Sequence, residues 1–371
     1  MSRITRVRAE PFGAWVRLDD DTLVAVDRPL AQRLGVTPRD DDHAPAPLEV
    51  HVSVTSRCPA TCDGCYQSAH RDGADVPAAS LRASLDALAV EGVFTVAFGG
   101  GEPLLRDDLG DLAAHARARG LTPVVTTSGL GMTPARAASL RAFAQVNVSH
   151  DGVDGGYAAV RGFEGAAVAE RAIAMLRAAG VEVGVNHVLT QRNVGGVTAM
   201  IERARALGAR EIQLLRYKPA GRAASIEYLA RRLTPAQCAE LGATLRSLAD
   251  GLDGFSVRVD CALVPLLAAA LPDAATLARF GVFGCEAGGH LGSVRRDGTR
   301  AGCSFDDGDA AEGLAAFRAF VAAPPEPCAS CPLRAVCRGG CKIVSRHAGL
   351  GFAPDPECPR VIAHHAAAEP S

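Results

Sequence analysis

Lysine, aromatic residues and long hydrophobic runs are all scarce in this sequence. Of its 39 basic residues only Lys218 and Lys342 are lysine, and only 5% of all residues are aromatic. The formal net charge is −2 and no basic stripe runs along the chain, so we expect no nucleic-acid partner. The longest apolar stretch, Ala262–Leu271, is too short to cross a bilayer, so we expect no membrane insertion either.

No targeting segment is recognisable at the start of the sequence. Residues 1–15 contain Arg3, Arg6 and Arg8 but no apolar run, which does not fit a secretory signal peptide. We therefore expect a cytoplasmic protein. The 371 residues are 48% hydrophobic and 22% charged, which is enough apolar material for a large core and excludes a disordered chain.

Cysteine is abundant for a cytoplasmic chain, and it is unevenly placed. Of twelve cysteines, three lie at positions 58–65, none lies from 66 to 237, and eight lie between 261 and 358. In a reducing compartment such numbers indicate metal binding or catalysis rather than disulfides. The gap between the two groups divides the chain into a central part and a C-terminal part.

The central part alternates predicted strands with helical segments. Two of the helices begin with Thr-Pro, at Thr133 and Thr234, which is an N-cap followed by proline at the first helical position. Six βα units in succession imply a parallel sheet. The predicted strands are Val50–Thr55, Thr95–Gly99, Pro123–Thr127, Val146–Ser149, Val183–Leu189 and Glu211–Leu215.

A smaller predicted unit precedes these strands. Residues 9–36 predict a β-hairpin and a short helix, with strands near Phe12–Leu18 and Leu23–Val26 and a turn at Asp19–Asp21. Residues 38–47 are polar and proline-rich and are predicted to be a linker.

Polar motifs follow the first four strands of the predicted sheet. They are Cys58–Cys65, Gly99–Pro103, Thr126–Gly129 and Ser149–Gly152. Ligands of parallel sheets gather at the carboxyl ends of the strands, so we expect these four loops to form one site.

The first cysteine group reads CPATCDGCY, in which Cys58, Cys62 and Cys65 have the spacing Cys-x3-Cys-x2-Cys. Three thiolates can hold three irons of a [4Fe–4S] cube, whereas a closed cluster or a structural zinc site takes four ligands. The fourth iron is then open to another ligand. A zinc knuckle or three packed thiols are the alternatives for this triplet alone.

This spacing resembles that of the radical S-adenosylmethionine (SAM) superfamily. The resemblance implies that the amino and carboxylate groups of SAM fill the open iron position. It also implies that the reduced cluster cleaves SAM to a 5′-deoxyadenosyl radical. In this superfamily the residue before the third cysteine is commonly aromatic and packs on adenine. Here that residue is Gly64, and Tyr66 is expected to take over part of the role.

The Gly-Gly-Glu-Pro motif after the second strand carries the same resemblance. Without Cβ atoms, the backbone of Gly100 and Gly101 can approach the SAM ammonium group, and Glu102 adds negative charge beside it. A tight turn before a helix is the alternative for the motif alone. In similar families a Pro-x-Gly-Arg run after the sixth strand faces the substrate, and here that segment contains Arg216 and Arg222.

Four further residues are implied to contact SAM. Ser149 and Arg161 match the pattern S-x-D-G…R-G, in which a hydroxyl and a guanidinium hold the SAM carboxylate. Ser128 is expected at the ribose and Leu189 at the adenine. The alternatives are a capping serine, a solvated arginine and a leucine of the core.

The C-terminal cysteines resemble those of a SPASM domain, which binds two auxiliary [4Fe–4S] clusters. Gly298, five residues before Cys303 in an Asp-Gly turn, also fits that pattern. Zinc ribbons or a disulfide scaffold are the competing interpretations of the cysteine spacing alone. The resemblance assigns one set of ligands to a distal cluster and another to a proximal cluster; these are Cys328, Cys331, Cys337 and Cys358 for the distal one, and Cys285, Cys303 and Cys341 for the proximal one.

Seven ligands leave one iron of the two auxiliary cubes open. Cys261 is the candidate for the eighth ligand, although it lies farther from Cys285 than the extra cysteine of well-known members does. If Cys261 is not a ligand, the open iron could bind substrate. Cys238, in the first turns of a predicted helix, is expected to be a packed thiol.

The resemblance covers roughly residues 48–360 and implies an α/β fold. The expected architecture is a partial (β/α)6, TIM-like radical SAM barrel with a C-terminal cysteine-rich SPASM extension. The expected domains are residues 1–47 as the hairpin, helix and linker, residues 48–255 as the barrel, and residues 256–371 as the SPASM domain.

Radical SAM/SPASM proteins mostly act on peptides and proteins, so the resemblance favours ribosomal peptide maturation. It implies SAM and three [4Fe–4S] clusters as cofactors, and a reducing partner such as flavodoxin or ferredoxin. The segment before Cys58 is too short for a full winged-helix peptide-binding module. A separate leader-peptide-binding protein is therefore a further expected partner.

Three alternatives remain open. In sulfatase maturases an aspartate directly follows the cysteine equivalent to Cys303 and acts as base, but here Ser304 follows it. Asp306 and Asp307 lie further on and are the candidate catalytic residues. A small-molecule oxidoreductase is the second alternative. An iron–sulfur scaffold without enzymatic activity is the third, and it would have no use for the Gly-Gly-Glu-Pro motif.

Overall fold

The computed structural model describes residues 2–41, 46–248, 252, 254–270, 273–282, 284–308 and 310–368. The strands in this part of the chain are β1 Ile4–Glu10, β2 Gly13–Leu18, β3 Leu23–Asp27, β4 Glu49–Thr55, β5 Thr95–Gly100, β6 Thr122–Thr127, β7 Gln145–Ser149, β8 Val183–Leu189, β9 Glu211–Arg216, β10 Ser256–Val259, β11 Leu291–Val294 and β12 Arg300–Ala301.

The helices over the same residues fall mostly between the strands of the central part and after β12. They are α1 Arg28–Arg33, α2 Ala78–Glu91, α3 Leu109–Ala118, α4 Pro134–Ser139, α5 Gly156–Arg161, α6 Ala166–Ala178, α7 Val197–Ala206, α8 Tyr228–Arg231, α9 Pro235–Leu248, α10 Val264–Leu267, α11 Ala274–Arg279, α12 Ala310–Ala322, α13 Arg334–Cys337, α14 Lys342–His347 and α15 Pro359–Ala368.

The main sheet has the strand order β10-β9-β8-β7-β6-β5-β4-β11-β12. All pairs from β10 to β11 are parallel, and only β12 is antiparallel to its neighbour. The six strands predicted from the sequence are confirmed as β4 to β9. Two parallel strands, β10 and β11, extend the sheet beyond them and were not predicted, because each has only four residues.

The alternation of side chains along β4 shows how the sheet divides its two faces. Val50, Val52 and Val54 are at most 1% exposed and belong to the large apolar core between the sheet and its helices. Glu49 and His51 alternate with them and are only partly covered. Successive side chains of a strand point to opposite faces, so these polar residues line the inner side of the barrel.

Helices α4 and α9 begin at the Thr-Pro pairs, as the sequence predicted. The Thr133 hydroxyl accepts a hydrogen bond from the Arg136 backbone at the start of α4. At the start of α9, the Thr234 hydroxyl accepts one from the Gln237 backbone. Both prolines occupy a position where a helix has no partner for a backbone N–H.

The N-terminal segment is a three-stranded antiparallel sheet in the order β1-β2-β3, followed by α1. The predicted hairpin is confirmed as β2 and β3, whereas β1 was missed. Arg6 and Arg8 of β1 lie on the ring of Phe94 and donate to the carbonyls of Val93 and Gly92. The small sheet therefore packs against the loop that enters β5, at the opposite end of the strands from the cysteine loop.

Two further sequence expectations concern the linker and the membrane. Residues 42–45 of the predicted linker lie outside the described residues. Among the described helices, none is both long and apolar enough to cross a membrane.

Candidate active site

The loop after β4 carries the first three cysteines and is held in shape by the backbone. An antiparallel bridge between Thr55 and Asp75 and a parallel bridge between Arg57 and His70 join the two ends of the loop. Arg222 follows β9, which lies toward the opposite edge of the sheet from β4. It donates to the Cys62 carbonyl at 3.0 Å and to the Ala69 carbonyl of the same loop. Arg222, which the sequence placed on the substrate side, therefore shapes the cysteine loop.

The chemistry of these three thiols fits an iron–sulfur cluster. All three are free and partly exposed at the rim of the barrel. Burial raises the pKa of Cys58 to about 11, and it also raises the pKa of Cys62. The neighbouring Arg161, whose Nη1 lies 3.8 Å from the Cys62 sulfur, opposes that shift. Because thiolates rather than thiols bind iron, metal binding at this loop has to release protons.

The Gly-Gly-Glu-Pro segment is joined directly to the start of the cysteine loop. The backbone N–H groups of Gly101 and Glu102 donate to the carbonyls of Thr55 and Arg57. A Cβ on Gly100 would lie 2.4 Å from the Thr55 oxygen, and one on Gly101 would lie 2.2 Å from the Arg57 oxygen. The two glycines are thus needed for the approach of two protein backbones, in addition to the predicted approach to SAM.

Glu102 has an unexpected internal role. Its carboxylate is 1% exposed and accepts hydrogen bonds from the Thr127 hydroxyl at 2.6 Å, from the Ser128 N–H at 2.8 Å and from the Ser128 hydroxyl. Burial raises the pKa of Glu102, and these hydrogen bonds oppose that shift. The structure thereby brings Glu102 and Ser128 together, while their contacts to SAM stay predictions.

Arg161 and Asp151 form a buried pair beside the cysteine loop. Arg161 Nε donates to the Asp151 carboxylate at 2.6 Å, and the other carboxylate oxygen accepts from the Val188 N–H at 2.7 Å. Burial works against the Arg161 cation, but Asp151, Tyr157 and Cys62 together outweigh it and raise the pKa of Arg161. Asp151, part of the S-x-D-G pattern, was given no role from the sequence, and it aims Arg161 at Cys62.

The remaining predicted SAM contacts lie on neighbouring strand ends. Ser149 ends β7 and is partly exposed on the inner side of the barrel. Leu189 ends β8 and is completely buried. Gly64 has no room for a side chain, because a Cβ there would lie 2.6 Å from the ring of Tyr217. Tyr217 therefore occupies the space beside the position that is commonly aromatic in the superfamily.

The four cysteines assigned to the distal cluster line one pocket. This pocket opens to solvent. Its other walls are mostly apolar, with Pro265, Leu333 and Val361 among them, and Arg334 and Asp355 also line it. Burial raises the pKa of Cys328, Cys337 and Cys358, so binding of a metal by these thiolates has to release protons. Four thiols that line one pocket fit the distal cluster that the resemblance implies.

The structure also brings Cys261 to the cysteines assigned to the proximal cluster. Cys261 shares a hydrogen bond with Cys285, which lowers the pKa of Cys285 to about 7 and raises that of Cys261. Cys303 interacts electrostatically with Cys285 and Cys341. By contrast, Cys238 is buried in α9 within the main core. Cys261 therefore lies beside Cys285, and its ligand role stays a prediction.

A buried ion pair that the sequence analysis missed lies between the two cysteine regions. Lys218 donates to Asp260, which directly precedes Cys261, and its ammonium lies 4.3 Å from the centre of the Phe305 ring. Phe305 in turn stacks on Tyr66 with ring centroids 4.4 Å apart. Because Tyr66 follows Cys65 and Phe305 follows Cys303 by two residues, the stack joins the first cysteine loop to the proximal set.

Asp306 and Asp307, the predicted catalytic candidates, lie next to Arg346. Arg346 donates to the Asp306 carboxylate and is 3.8 Å from that of Asp307. The side chain of Asp307 is 96% exposed, whereas that of Asp306 is 11% exposed. Their catalytic role stays a prediction, and both carboxylates are already engaged by a cation.

Comparison with known proteins agrees with this geometry. The radical SAM superfamily model matches residues 52–202. The PqqA peptide cyclase of Xanthomonas campestris pv. campestris strain 8004 is 32% identical over 344 residues, covering 86% of this chain and 89% of that protein. The PqqA peptide cyclase of Xanthomonas oryzae pv. oryzae strain MAFF 311018 is 30% identical over 342 residues, covering 86% and 90%.

Two groups of solved structures share the fold. Streptococcus suis SuiB bound to S-adenosylmethionine superimposes with a TM-score of 0.71 at 15% identity, covering 96% of this chain and 99% of that chain. The protein anSMEcpe, with bound AdoMet and Cp18Cys peptide, gives a TM-score of 0.62 at 18% identity, covering 87% and 100%. The family match, the extent of the PqqA cyclase similarity and the shared barrel agree, and the chain belongs to the radical SAM superfamily.

Proposed function

We propose that this chain is a radical SAM/SPASM maturase that oxidises a peptide. The observation that carries the proposal is the contact between its two cysteine regions. Tyr66 stacks on Phe305, and Gln67 donates to the Ser304 carbonyl at 3.5 Å. A substrate that enters the barrel beside Tyr66 would lie between a site that generates a radical and a site that accepts an electron. That arrangement suits an oxidation.

The cofactors are SAM and [4Fe–4S] clusters. When bound and reduced, the first cluster supplies the electron that cleaves SAM to a 5′-deoxyadenosyl radical. We assign that cluster to Cys58, Cys62 and Cys65. We assign SAM to the strand-end residues Gly100, Gly101, Glu102, Ser128, Ser149, Arg161 and Leu189. The auxiliary clusters are assigned as the sequence predicted, with Cys261 as the eighth ligand.

The domain boundaries predicted from the sequence form part of the proposal. They are residues 1–47, 48–255 and 256–371. The main sheet runs across the second boundary, since β10 and β11 flank the six barrel strands. The SPASM domain is therefore attached to both edges of the barrel sheet.

A peptide is the substrate class that the comparisons support. Relatives that are 30–32% identical to this chain are named PqqA peptide cyclase, and SuiB has also been solved with its precursor peptide SuiA. A sulfatase-maturase activity is disfavoured by Ser304, which stands where that family has its aspartate. A reducing protein such as flavodoxin or ferredoxin and a separate leader-peptide-binding protein are the partners that we propose.

The experiment is co-expression of the chain with each short open reading frame that flanks its gene, followed by mass spectrometry. We expect one peptide to lose the mass of two hydrogens, with one SAM consumed for each event. In Cys328→Ala, which should lose the distal cluster, SAM cleavage should persist while product falls sharply. Turnover of a free sugar with no peptide accepted would refute the peptide assignment. Normal product from a variant shown to lack the distal cluster would refute the electron-accepting role.

Replacing Cys261 tests the eighth-ligand assignment. Cys261→Ala should change the EPR signal of one auxiliary cluster or lower the iron content by up to about four atoms per chain, because it removes a thiolate from a cube. Cys238→Ala is the matched control, since that thiol is packed in the core away from the other cysteines. Identical spectra from the two variants would mean that the proximal cluster has an open or non-cysteine position.

A further inference from the structure

Three polar residues on the inner side of the barrel form a hydrogen-bonded chain that the proposed function does not use. His51 Nε2 lies 2.8 Å from Glu49 Oε1, and His51 Nδ1 lies 3.1 Å from Ser304 Oγ. The carboxylate can accept only from a protonated Nε2. The other ring nitrogen, Nδ1, is then free to accept the hydrogen bond of the Ser304 hydroxyl.

The hydrogen-bonded residues Glu49, His51 and Ser304 lie beside small residues of the neighbouring strand β5. His51 pairs with Ala97 on β5, and the next inward position along the strand, Ser53, pairs with Gly99. Neither Ala97 nor Gly99 fills the barrel above His51. The Tyr66 hydroxyl lies 4.0 Å from where a Cβ on Gly99 would be, so the aromatic residue beside Cys65 borders the same space. His51 is thus reached from the side where SAM is expected.

Ser304 connects the three hydrogen-bonded residues to the second cysteine region. It directly follows Cys303, and its carbonyl accepts from Gln67 of the first cysteine loop. The Ser304 hydroxyl therefore lies between the loop that is expected to generate the radical and the loop that is expected to accept the electron. A proton acceptor at this point would serve a substrate that is being oxidised.

Glu49 is held as a carboxylate beside His51. Burial raises the pKa of Glu49, but the hydrogen bond and charge of His51 outweigh it, and the pKa is lowered overall. Arg258 of β10 also lowers it, and that guanidinium is itself 3.4 Å from the Glu211 carboxylate of β9. From β5 and β11 the residues that pair with His51 are Ala97 and Ser293, which carry no charge. Among the described residues, Glu49 supplies the one carboxylate within hydrogen-bonding distance of His51.

We propose that Ser304 and His51, oriented by Glu49, remove the proton that a substrate radical loses when it is oxidised. The 5′-deoxyadenosyl radical takes a hydrogen atom from the substrate. The substrate radical then gives one electron to an iron–sulfur acceptor and one proton to Ser304 Oγ, whose own proton moves to His51 Nδ1. The product lacks two hydrogens, and the imidazolium is stabilised by Glu49. Ser304 contacts the substrate in this scheme, and His51 acts through it.

The test uses the anaerobic holoenzyme and the peptide that loses two hydrogens in the co-expression experiment, synthesised with deuterium at the oxidised carbon. In His51→Gln we expect product to fall by about 10²-fold or more, because general-base removal typically costs that much. Deuterium transfer to 5′-deoxyadenosine should stay within about threefold of wild type, since a base acts after hydrogen abstraction. Freeze-quenched samples should show an accumulating organic radical by EPR.

His115→Gln is the matched control. His115 also bonds a carboxylate, that of Asp86 at 2.7 Å, but it lies on α3 outside the barrel. The EPR spectra of all clusters and the SAM dissociation constant should be unchanged in both histidine variants. If His51→Gln disturbs the clusters, Ser304→Ala decides, with product again falling while the organic radical accumulates.

Several outcomes would overturn the proposal. Product within about threefold of wild type in His51→Gln, or deuterium transfer falling in parallel with product, would show that His51 has no role in proton removal. A product that retains both hydrogens would leave no proton to remove. The proposal rests on the oxidative part of the proposed function, so if a small molecule replaces the peptide, the same measurements apply to it.

One measurement needs no substrate. His51 should be carbethoxylated by diethyl pyrocarbonate in the SAM-loaded holoenzyme, since its side chain is 35% exposed toward the barrel interior compared with 17% for His115. Labelling of His115 with none on His51 would show that the imidazole cannot be reached from the site, and would overturn the proposal whatever the substrate is.

Discussion

Replacing Cys58, Cys62 and Cys65 together by alanine should abolish the formation of 5′-deoxyadenosine from SAM and dithionite. About two thirds of the iron should remain, because the eight C-terminal cysteines that hold the auxiliary clusters are untouched. The expected loss is complete rather than partial, since no other described cysteine lies in the loop that contacts Arg161 and the Gly-Gly-Glu-Pro segment. Iron analysis and product chromatography on anaerobic protein make the measurement.

The control for this variant is Cys238→Ala, which removes a thiol from the core of α9 and should leave both the iron content and SAM cleavage unchanged. SAM cleavage by the triple variant would contradict the assignment. Loss of all iron would instead indicate that the barrel no longer folds.

The barrel was predictable from the sequence because its signals are local. Each of the six strands from β4 to β9 is a segment of five to seven residues in which buried side chains recur at alternate positions, and a helical segment follows it. The cysteine spacings are equally local. In both cases the physical cause, burial of a strand or ligation of iron by neighbouring thiolates, acts within a few residues of the chain.

The parts that escaped prediction depend on contacts between distant residues. His51 is within hydrogen-bonding distance of Ser304, which lies 253 positions away in the sequence, and no residue pattern within β4 predicts that contact. Cys261 reaches Cys285 only because β10 adds to the edge of the sheet and the chain then turns. A short strand such as β11 is set by pairing with β4 rather than by its own four residues. Side chains that complete a site from separate elements need the tertiary structure.

The contacts of Arg216 are another feature that the sequence did not predict. The sequence placed it toward the substrate, but its guanidinium is 4% exposed and binds the Asp355 carboxylate at 2.6 Å and the Glu357 carboxylate at 2.8 Å. Asp355 also accepts from the Cys341 N–H at 3.0 Å. Arg216 thus connects the end of β9 to the segment between Cys341 and Cys358, where ligands of both auxiliary clusters meet.

Replacing Arg216 by methionine should therefore destabilise the docked C-terminal domain by about 3–5 kcal/mol, because the buried Asp355 carboxylate loses its cation, whereas Glu357 keeps Arg232. Arg232→Met is the matched control. Arg232 binds the same Glu357 at 2.8 Å, but its side chain is 39% exposed, so we expect about 1 kcal/mol or less. Urea denaturation of the anaerobic holoproteins measures both changes. Equal effects of the two variants would mean that the buried pair with Asp355 adds nothing to the attachment of the C-terminal domain, and that the sheet extension through β10 and β11 holds it alone.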